Sequence, residues 1–269
     1  MVDVTDRFFL QLLRMASPQA SGHGTGNACL RYAFYTEMQP ARKIMRLAAE
    51  RGIAGVHDGV GPPCPRTVVQ LGGSRPKEIA DAYEILADAQ YAEVNLNLGC
   101  PSDNVQAGQF GAILMKSPQV VHAMLRAVED RRRRVPFTVK CRIGVDELDS
   151  DAYFQQFIQT LLEGTALDHV IVHARKAYLN GISPKQNRTV PPLNYERVYA
   201  LSRMLPKLHV TINGGITTVD QVKQQLHRVH GVMIGREFRE NPLFIQTLDR
   251  GNHRRVVPMV ESIAVQRMD

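Results

Sequence analysis

A cysteine and an asparagine stand together at the end of one predicted strand. The segment EVNLNLGCPSD (93–103) alternates apolar side chains with polar ones as far as Asn97, and then stops at Cys100 and Pro101. Proline cannot donate to a strand ladder, so it ends the strand and leaves the thiol at the carboxyl end. A hydrophobic core needs no amide or thiol at such a point. We therefore treat Asn97 and Cys100 as candidate site residues.

The other cysteines have no comparable setting. For Cys29, Cys64 and Cys141 the ordinary interpretation is a buried free thiol. No two of the four cysteines form a C-x-x-C pair, so the sequence predicts neither a zinc site nor a disulfide framework. We expect free thiols in a reducing compartment and no bound metal.

Two cations two residues apart indicate a ligand that is electron-rich or anionic. Lys140 and Arg142 point to the same face of the predicted strand PFTVKCRIG. A buried cation is costly unless it meets such a partner, and a lysine beside the N1–C2=O edge of a flavin would stabilise the reduced form. His173, at the end of VIVHARK, is a candidate hydrogen-bond partner for the same ligand. The alternative for Lys140 and Arg142 is a pair of cations that reach solvent at the rim, and the alternative for His173 is a structural role.

Two glycine turns near the end of the chain are candidate phosphate sites. INGGI (212–216) and MIGRE (233–237) each end a predicted strand and lead into a helix. Backbone N–H groups at such points bind phosphate, and Arg236 adds a positive charge. The alternative is two tight turns that need glycine for a positive φ. We favour phosphate because the two turns are paired.

Composition excludes several classes of protein. The chain has 269 residues, 44% of them hydrophobic, and a formal net charge of +7, which permits a polyanionic partner without demanding one. No run approaches the roughly 18 apolar residues of a membrane span. Asp3 and Asp6 stand where a secretory or transit peptide would be apolar or basic. We expect a cytoplasmic protein with no membrane association, with an organelle left open.

Strand-like and helix-like segments alternate along the whole chain. Strands are predicted at MVDVT, AFYTEM, TVVQLGG, AEVNLNLGC, PFTVKCRIG, HVIVHAR, LHVTING and GVMIGRE, each followed by an amphipathic stretch. Ser117 and Thr217 or Thr218 are predicted helix caps. Strict alternation favours a (β/α)8 TIM barrel, with a doubly wound sheet as the alternative.

The polar residues recur at strand ends, which favours the barrel. In a barrel all the carboxyl ends of the strands open on one mouth, where residues distant in sequence meet. The residues at or just past a predicted strand end are Gln70, Asn97, Cys100, Lys140, Arg142, His173, Asn213, Gly235 and Arg236.

Seven segments together resemble the tRNA-dihydrouridine synthase family, most closely its A-type, (20/20a)-like subgroup. They are VQLGGS, EVNLNLGCPSDNVQAGQFGAILMKSP, TVKCRIGVDE, VIVHARKAYLNGISPKQNR, PPLNYERVY, INGGI and GVMIGRE, in order from about residue 66 to 245. The resemblance implies an oxidoreductase in which FMN, reduced by NADPH, saturates the C5=C6 bond of a D-loop uridine in tRNA. It also implies that Cys100 protonates C5, and that the uridine is flipped out of the RNA.

The same resemblance assigns the remaining site residues. FMN contacts are expected from Gln70, Asn97, Lys140, His173, Asn213, Gly214, Gly215, Gly235 and Arg236. Contacts to tRNA are expected from Arg142, Arg175, Lys176, Lys185, Asn187 and Arg188. We expect a monomer.

The chain differs from the family pattern at both ends. Met1 corresponds to the methionine of an Ala-Pro-Met first strand, and 241–269 corresponds to only the start of a C-terminal helical tRNA-binding domain. We therefore predict an FMN-binding barrel over 1–240 with a truncated first strand, followed by a remnant of the helical domain. Two alternatives stay open: a degenerate barrel that keeps RNA affinity without catalysis, and another FMN barrel of the dihydroorotate-dehydrogenase kind.

Overall fold

Seven parallel strands form the centre of the part of the chain that the structure describes. The computed structural model describes residues 5–16, 32–64, 66–131 and 135–250. The strands of this part pair in sequence order, each with the next. Their bounds are β1 Phe34–Pro40, β2 Thr67–Gly72, β3 Glu93–Leu98, β4 Phe137–Arg142, β5 His169–His173, β6 His209–Asn213 and β7 Gly231–Met233.

Helices alternate with these strands. They are α1 Arg7–Ala16, α2 Ala41–Val60, α3 Pro76–Asp88, α4 Asp103–Ala107, α5 Pro118–Glu129, α6 Asp151–Leu162, α7 Tyr195–Met204, α8 Val219–Leu226, α9 Arg236–Glu240 and α10 Phe244–Arg250. A 3₁₀ segment, Gly111–Lys116, lies between α4 and α5. No helix in the described ranges is long and apolar enough to cross a membrane.

The strand order confirms the (β/α)8 barrel. A doubly wound sheet reverses its strand order at a switch point, whereas this sheet runs from β1 to β7 without a reversal. Seven of the eight predicted strands are present. The predicted strand MVDVT lies outside the described residues except for Thr5, whose carbonyl oxygen accepts a hydrogen bond from Glu37 N at 3.2 Å. The chain at Thr5 therefore lies beside β1, on the side away from β2.

The core forms between the strands and the apolar faces of the helices. On α6, Phe154, Phe157, Ile158 and Leu161 are all buried, and their spacing of three and four residues places them on one face. Burying each such side chain is worth about 1.5–3 kcal/mol relative to leaving it exposed. The helices thus fix the strand ends on which the polar residues stand.

Helix capping agrees with the sequence at one predicted site and differs at the other. Thr218 forms a capping box with Gln221 at the start of α8, as predicted. Ser117 is the N-cap residue of α5, as predicted, but its side chain makes no capping hydrogen bond. Its φ of −135° and ψ of 67° differ from the extended backbone that Thr218 adopts. Pro118, at the first position of α5, fits the helix start without a side-chain cap.

Candidate active site at the mouth of the barrel

The turn that carries Cys100 is built around the Asn97 side chain. Asn97 Oδ1 accepts hydrogen bonds from Gly99 N at 2.9 Å and from Cys100 N at 3.0 Å. Such a bond from a side chain to the backbone just beyond it fixes a tight turn without a helix or ladder. Asn97 is therefore a residue that shapes the turn.

The 3₁₀ segment supports the same turn from the other side. Cys100 O accepts a hydrogen bond from Ala112 N at 2.8 Å. Gly111, with a φ of +75°, passes so close that a Cβ there would lie 2.5 Å from Cys100 O. Only glycine suits this position, both in conformation and in space. The backbone of Cys100 is thus held at its N–H and at its carbonyl group, while the thiol remains half-buried.

Gln70 and Asn97 form a pair across neighbouring strands. Asn97 Nδ2 donates to Gln70 Oε1 at 2.5 Å, so both groups of the Asn97 amide are engaged. Both residues line the larger cavity at the mouth, whose volume is about 1140 Å³ including its opening to solvent. This cavity is lined by Met38, Gln70, Asn97, Gly99, Cys100, Pro101, Ser102, Asn104, Lys140, Arg142, His173, Pro184 and Arg188.

Lys140 and Asn213 lie together deeper in the mouth. Lys140 Nζ donates to Asn213 Oδ1 at 3.4 Å, and Asn213 Nδ2 donates to Met233 O at 2.9 Å. Lys140 is buried, and it lines the same cavity as Cys100. A cation is therefore presented to whatever occupies the cavity.

Arg142 joins two loops. Its Nε donates to Gly99 O at 2.9 Å, and one terminal nitrogen donates to Lys176 O at 3.0 Å and to Asn187 O at 2.8 Å. The side chain is buried. These three bonds tie the Cys100 turn to the loop 174–191 that follows β5.

His173 is a buried neutral imidazole at the centre of several cations. Its pKa lies well below the ordinary value, first because of burial and then because of the positive charges of Arg142, Lys140, Arg175 and Arg236. Within the described ranges no group forms a hydrogen bond with its ring nitrogens. At neutral pH the ring therefore keeps one donor and one acceptor for a ligand.

A second pocket adjoins the first around the two glycine turns. Its volume is about 440 Å³ including its opening to solvent, and it is lined by His173, Arg188, Asn213, Gly214, Gly215, Ile216, Thr217, Met233, Ile234, Gly235, Arg236 and Glu237. A Cβ on Gly214 would lie 2.8 Å from His173 Cδ2, so the glycine leaves the histidine its place. His173 and Arg188 line both pockets. The predicted cofactor residues thus surround one connected mouth.

The six predicted RNA residues divide into two groups. Arg142 is directed at backbone carbonyls, as described above. Arg175 is buried and donates to Thr189 O at 3.3 Å and to Pro191 O. Asn187 is fully buried. Its Oδ1 accepts a hydrogen bond from Tyr178 N at 2.8 Å, and its Nδ2 donates to Tyr178 O at 2.9 Å. These three side chains hold the loop 174–191 together.

The remaining three are nearer to solvent. Lys176 is half-buried, pairs with Asp149 at 3.0 Å and lies over the Tyr178 ring. Arg188 is half-buried on the wall of both pockets. Lys185 is exposed beside them. A basic edge at the mouth is therefore formed by Lys185 and Arg188.

Sequence reasoning missed two residues of the site. Ser102 lies on the cavity wall with its Oγ 3.4 Å from Cys100 Sγ, although serine before a helix ordinarily indicates a cap. Gln106 Nε2 donates to Pro101 O at 2.9 Å and to Leu179 O at 2.7 Å, a second link between the Cys100 turn and the loop 174–191. No pattern in the sequence points to Gln106, because its two partners are brought together only by the fold.

Comparison with known proteins gives a consistent result. The sequence model of the family described as "Dihydrouridine synthase (Dus)" matches residues 1–268. The tRNA-dihydrouridine(20/20a) synthase of Haemophilus ducreyi is 46% identical over 201 residues, which are 74% of this chain and 61% of that protein. The enzymes of the same name from Shewanella oneidensis and a Synechocystis species are each 42% identical over 254 residues, 93% of this chain and 69% of theirs. The chain thus spans less than two thirds of the first relative's length and slightly more than two thirds of the length of the other two.

Proposed function

The chain belongs to the dihydrouridine synthase family, and on this premise we propose that it reduces the C5=C6 bond of a D-loop uridine in tRNA. The proposal includes FMN as the cofactor and NADPH as the reductant. The observation that carries it is the single mouth in which the Cys100 cavity and the glycine–arginine pocket share His173 and Arg188 as common walls. The substrate would be a cytoplasmic tRNA, and the protein would act as a monomer.

The smaller pocket fits a phosphate group. Gly214, Gly215 and Gly235 leave the backbone bare, and Arg188 and Arg236 supply positive charge. The His173 ring, which has no partner in the described part of the chain, supplies a further hydrogen bond. These residues would hold the phosphate of FMN.

The larger cavity fits a flavin ring with a base beside it. Asn97 holds the Gln70 side chain through Gln70 Oε1, so that Gln70 Nε2 can donate to a ligand, and buried Lys140 offers a cation. Bound in this cavity, reduced FMN would supply a hydride for C6 of the uracil. The positive charge of Lys140 would stabilise a negatively charged ring.

Cys100 would supply the proton. Its Sγ–H bond would break as a C–H bond forms at C5 of the uracil, and the thiolate would remain until a proton returns from solvent. The Asn97 and Ala112 hydrogen bonds fix the backbone of Cys100 for this transfer. The target base has to leave its stack to reach the cavity, which a D-loop permits more readily than a duplex.

The experiment begins with the visible absorption spectrum of the purified protein, before and after anaerobic addition of NADPH. We expect a flavin spectrum that bleaches. The protein is then incubated with tRNA lacking dihydrouridine, and the product is measured by mass spectrometry. A colourless protein that takes up no added FMN would contradict the cofactor, and a bleaching flavoprotein that leaves tRNA unmodified would contradict the substrate.

Cys100→Ala tests the acid. We expect bound FMN and its reduction by NADPH to be kept, and dihydrouridine formation to fall by about 10²-fold or more, the usual contribution of a positioned acid. Cys64→Ala is the matched control, because Cys64 is half-buried before β2, at the opposite end of the strand from the mouth. Parental product formation by the Cys100 variant would remove Cys100 from the acid role.

A further inference from the structure

Ser102 occupies a capping position without capping. It is the N-cap residue of α4, and its carbonyl oxygen accepts hydrogen bonds from Val105 N at 3.0 Å and Gln106 N at 2.9 Å. A serine at this position ordinarily turns its hydroxyl to a backbone N–H of the first turn. The Ser102 side chain makes no such bond. Its hydroxyl lies 3.4 Å from Cys100 Sγ instead.

The position of Ser102 suits a partner for the thiol. The Cys100 backbone is fixed at both its N–H and its carbonyl, so the remaining freedom of the thiol is rotation of its side chain. In the described part of the chain, the hydrogen bond of Sγ is with Ser102. Ser102 is half-buried and lines the larger cavity, so its hydroxyl meets both the sulfur and the space open to solvent.

We propose that the Ser102 hydroxyl orients the Cys100 thiol and returns a proton to it after each turnover, a role that rests on the proposed function. When Cys100 has given its proton to C5, a hydroxyl that can donate or accept stabilises the thiolate by donating to it. In a single concerted step the Oγ–H bond breaks as the Sγ–H bond re-forms, while Oγ takes a proton from a hydronium ion or buffer acid of the solvent, so that no alkoxide is formed. No redox change accompanies this relay. Ser102 is a positioning residue for the acid.

The first measurement needs neither tRNA nor flavin chemistry. Alkylation of Cys100 by iodoacetamide at neutral pH is followed peptide by peptide, so that the other cysteines do not interfere. Ser102→Ala removes a hydrogen bond that favours the reactive thiolate, and we expect alkylation to slow by about tenfold. Ser102→Thr keeps a hydroxyl and should restore the parental rate.

The second measurement is turnover. With tRNA as substrate, Ser102→Ala should slow dihydrouridine formation, steepen its pH dependence and enlarge the solvent deuterium isotope effect, because proton return becomes slower. Ser102→Thr should recover all three. Ser150→Ala is the matched control: Ser150 caps α6 by accepting from Tyr153 N at 3.0 Å. Its loss should lower the melting temperature and leave the isotope effect unchanged.

The outcomes separate the two proposals. Unchanged alkylation in Ser102→Ala overturns the thiol contact, whatever the parent protein does with tRNA. Slower alkylation with a parental rate and isotope effect of turnover overturns the relay while the proposed function stands. A parent protein that forms no dihydrouridine overturns the proposed function, and the relay with it, even where alkylation responds to Ser102.

Discussion

Glu93 lies at the start of β3, at the end of the strand away from the mouth. Its carboxylate accepts hydrogen bonds from Tyr35 OH at 3.1 Å and from Thr138 Oγ1 at 2.5 Å. Burial raises the pKa of Glu93 to about 7, and the two hydrogen bonds reduce that rise. The folded protein therefore prefers the protonated acid, while the unfolded chain ionises near the ordinary value of 4.5.

The sign of the resulting pH dependence follows from that order. Between pH 4.5 and about 7 the unfolded state releases the proton more readily, so the contribution of Glu93 to the free energy of unfolding falls as pH rises. Glu93→Gln should remove this decrease, so that the free energy of unfolding depends less on pH over that window. Urea denaturation of parent and variant at pH 5 and pH 8 measures it. Parallel curves for the two proteins would show that Glu93 ionises normally in the fold.

At the scale of elements, the start of α8 is the best test of helix capping. Thr218 Oγ1 accepts from Gln221 N at 3.2 Å, and Gln221 Oε1 accepts from Thr218 N at 3.1 Å. Thr218→Ala should lower the free energy of unfolding by about 1 kcal/mol. Ser117→Ala is the matched control, since Ser117 makes no capping bond and its loss should change little. Equal losses from both variants would contradict the assignment of these caps.

The strands and helices could be predicted because their signals are local. Alternation such as that of 93–98 and the 3.6-residue spacing of Phe154, Phe157 and Leu161 both depend on nearby residues. The missing capping bond at Ser117 has the same origin: the serine–proline motif is local, whereas in the fold Ser117 also ends the 3₁₀ segment, with its N–H bonded to Leu114 O.

For the site, the sequence predicts which residues come together but not what each side chain contacts. Residues at strand ends converge because all the barrel strands open on one mouth, so Gln70, Lys140 and His173 could be grouped from the sequence. Which cation faces a ligand and which faces a carbonyl depends on tertiary contacts. The sequence therefore predicts RNA contacts for Arg142 and Asn187, and only the fold shows that both side chains also bond to the protein's own backbone.

At the scale of the whole molecule, the net charge is +7, and the basic edge of Lys185 and Arg188 brings part of the positive charge to the mouth. Lys185 is exposed there, on the loop 174–191, and in the proposed function its ammonium group would meet a phosphate of tRNA. Each such contact releases a counterion, so Lys185→Ala should weaken tRNA binding and reduce the slope of log K against log salt by about one.

A matched control is available on the opposite face. Lys207 is exposed before β6, at the amino end of the strand, and Lys207→Ala changes the net charge by the same amount. Binding titrations of parent and both variants across a range of salt concentrations compare them. A slope reduced equally by the two substitutions would mean that net charge, not the edge at the mouth, governs the affinity.

Arg142 contributes to the mouth in two separable ways. Its three hydrogen bonds to Gly99 O, Lys176 O and Asn187 O join the Cys100 turn to the loop 174–191. Its charge acts across space and helps to keep His173 neutral. A lysine at this position would keep the charge but could not reproduce the planar fork that meets two loops at once. The same guanidinium therefore serves two purposes with different requirements. Keeping His173 neutral requires only its positive charge, whereas joining the two loops requires its planar set of donors.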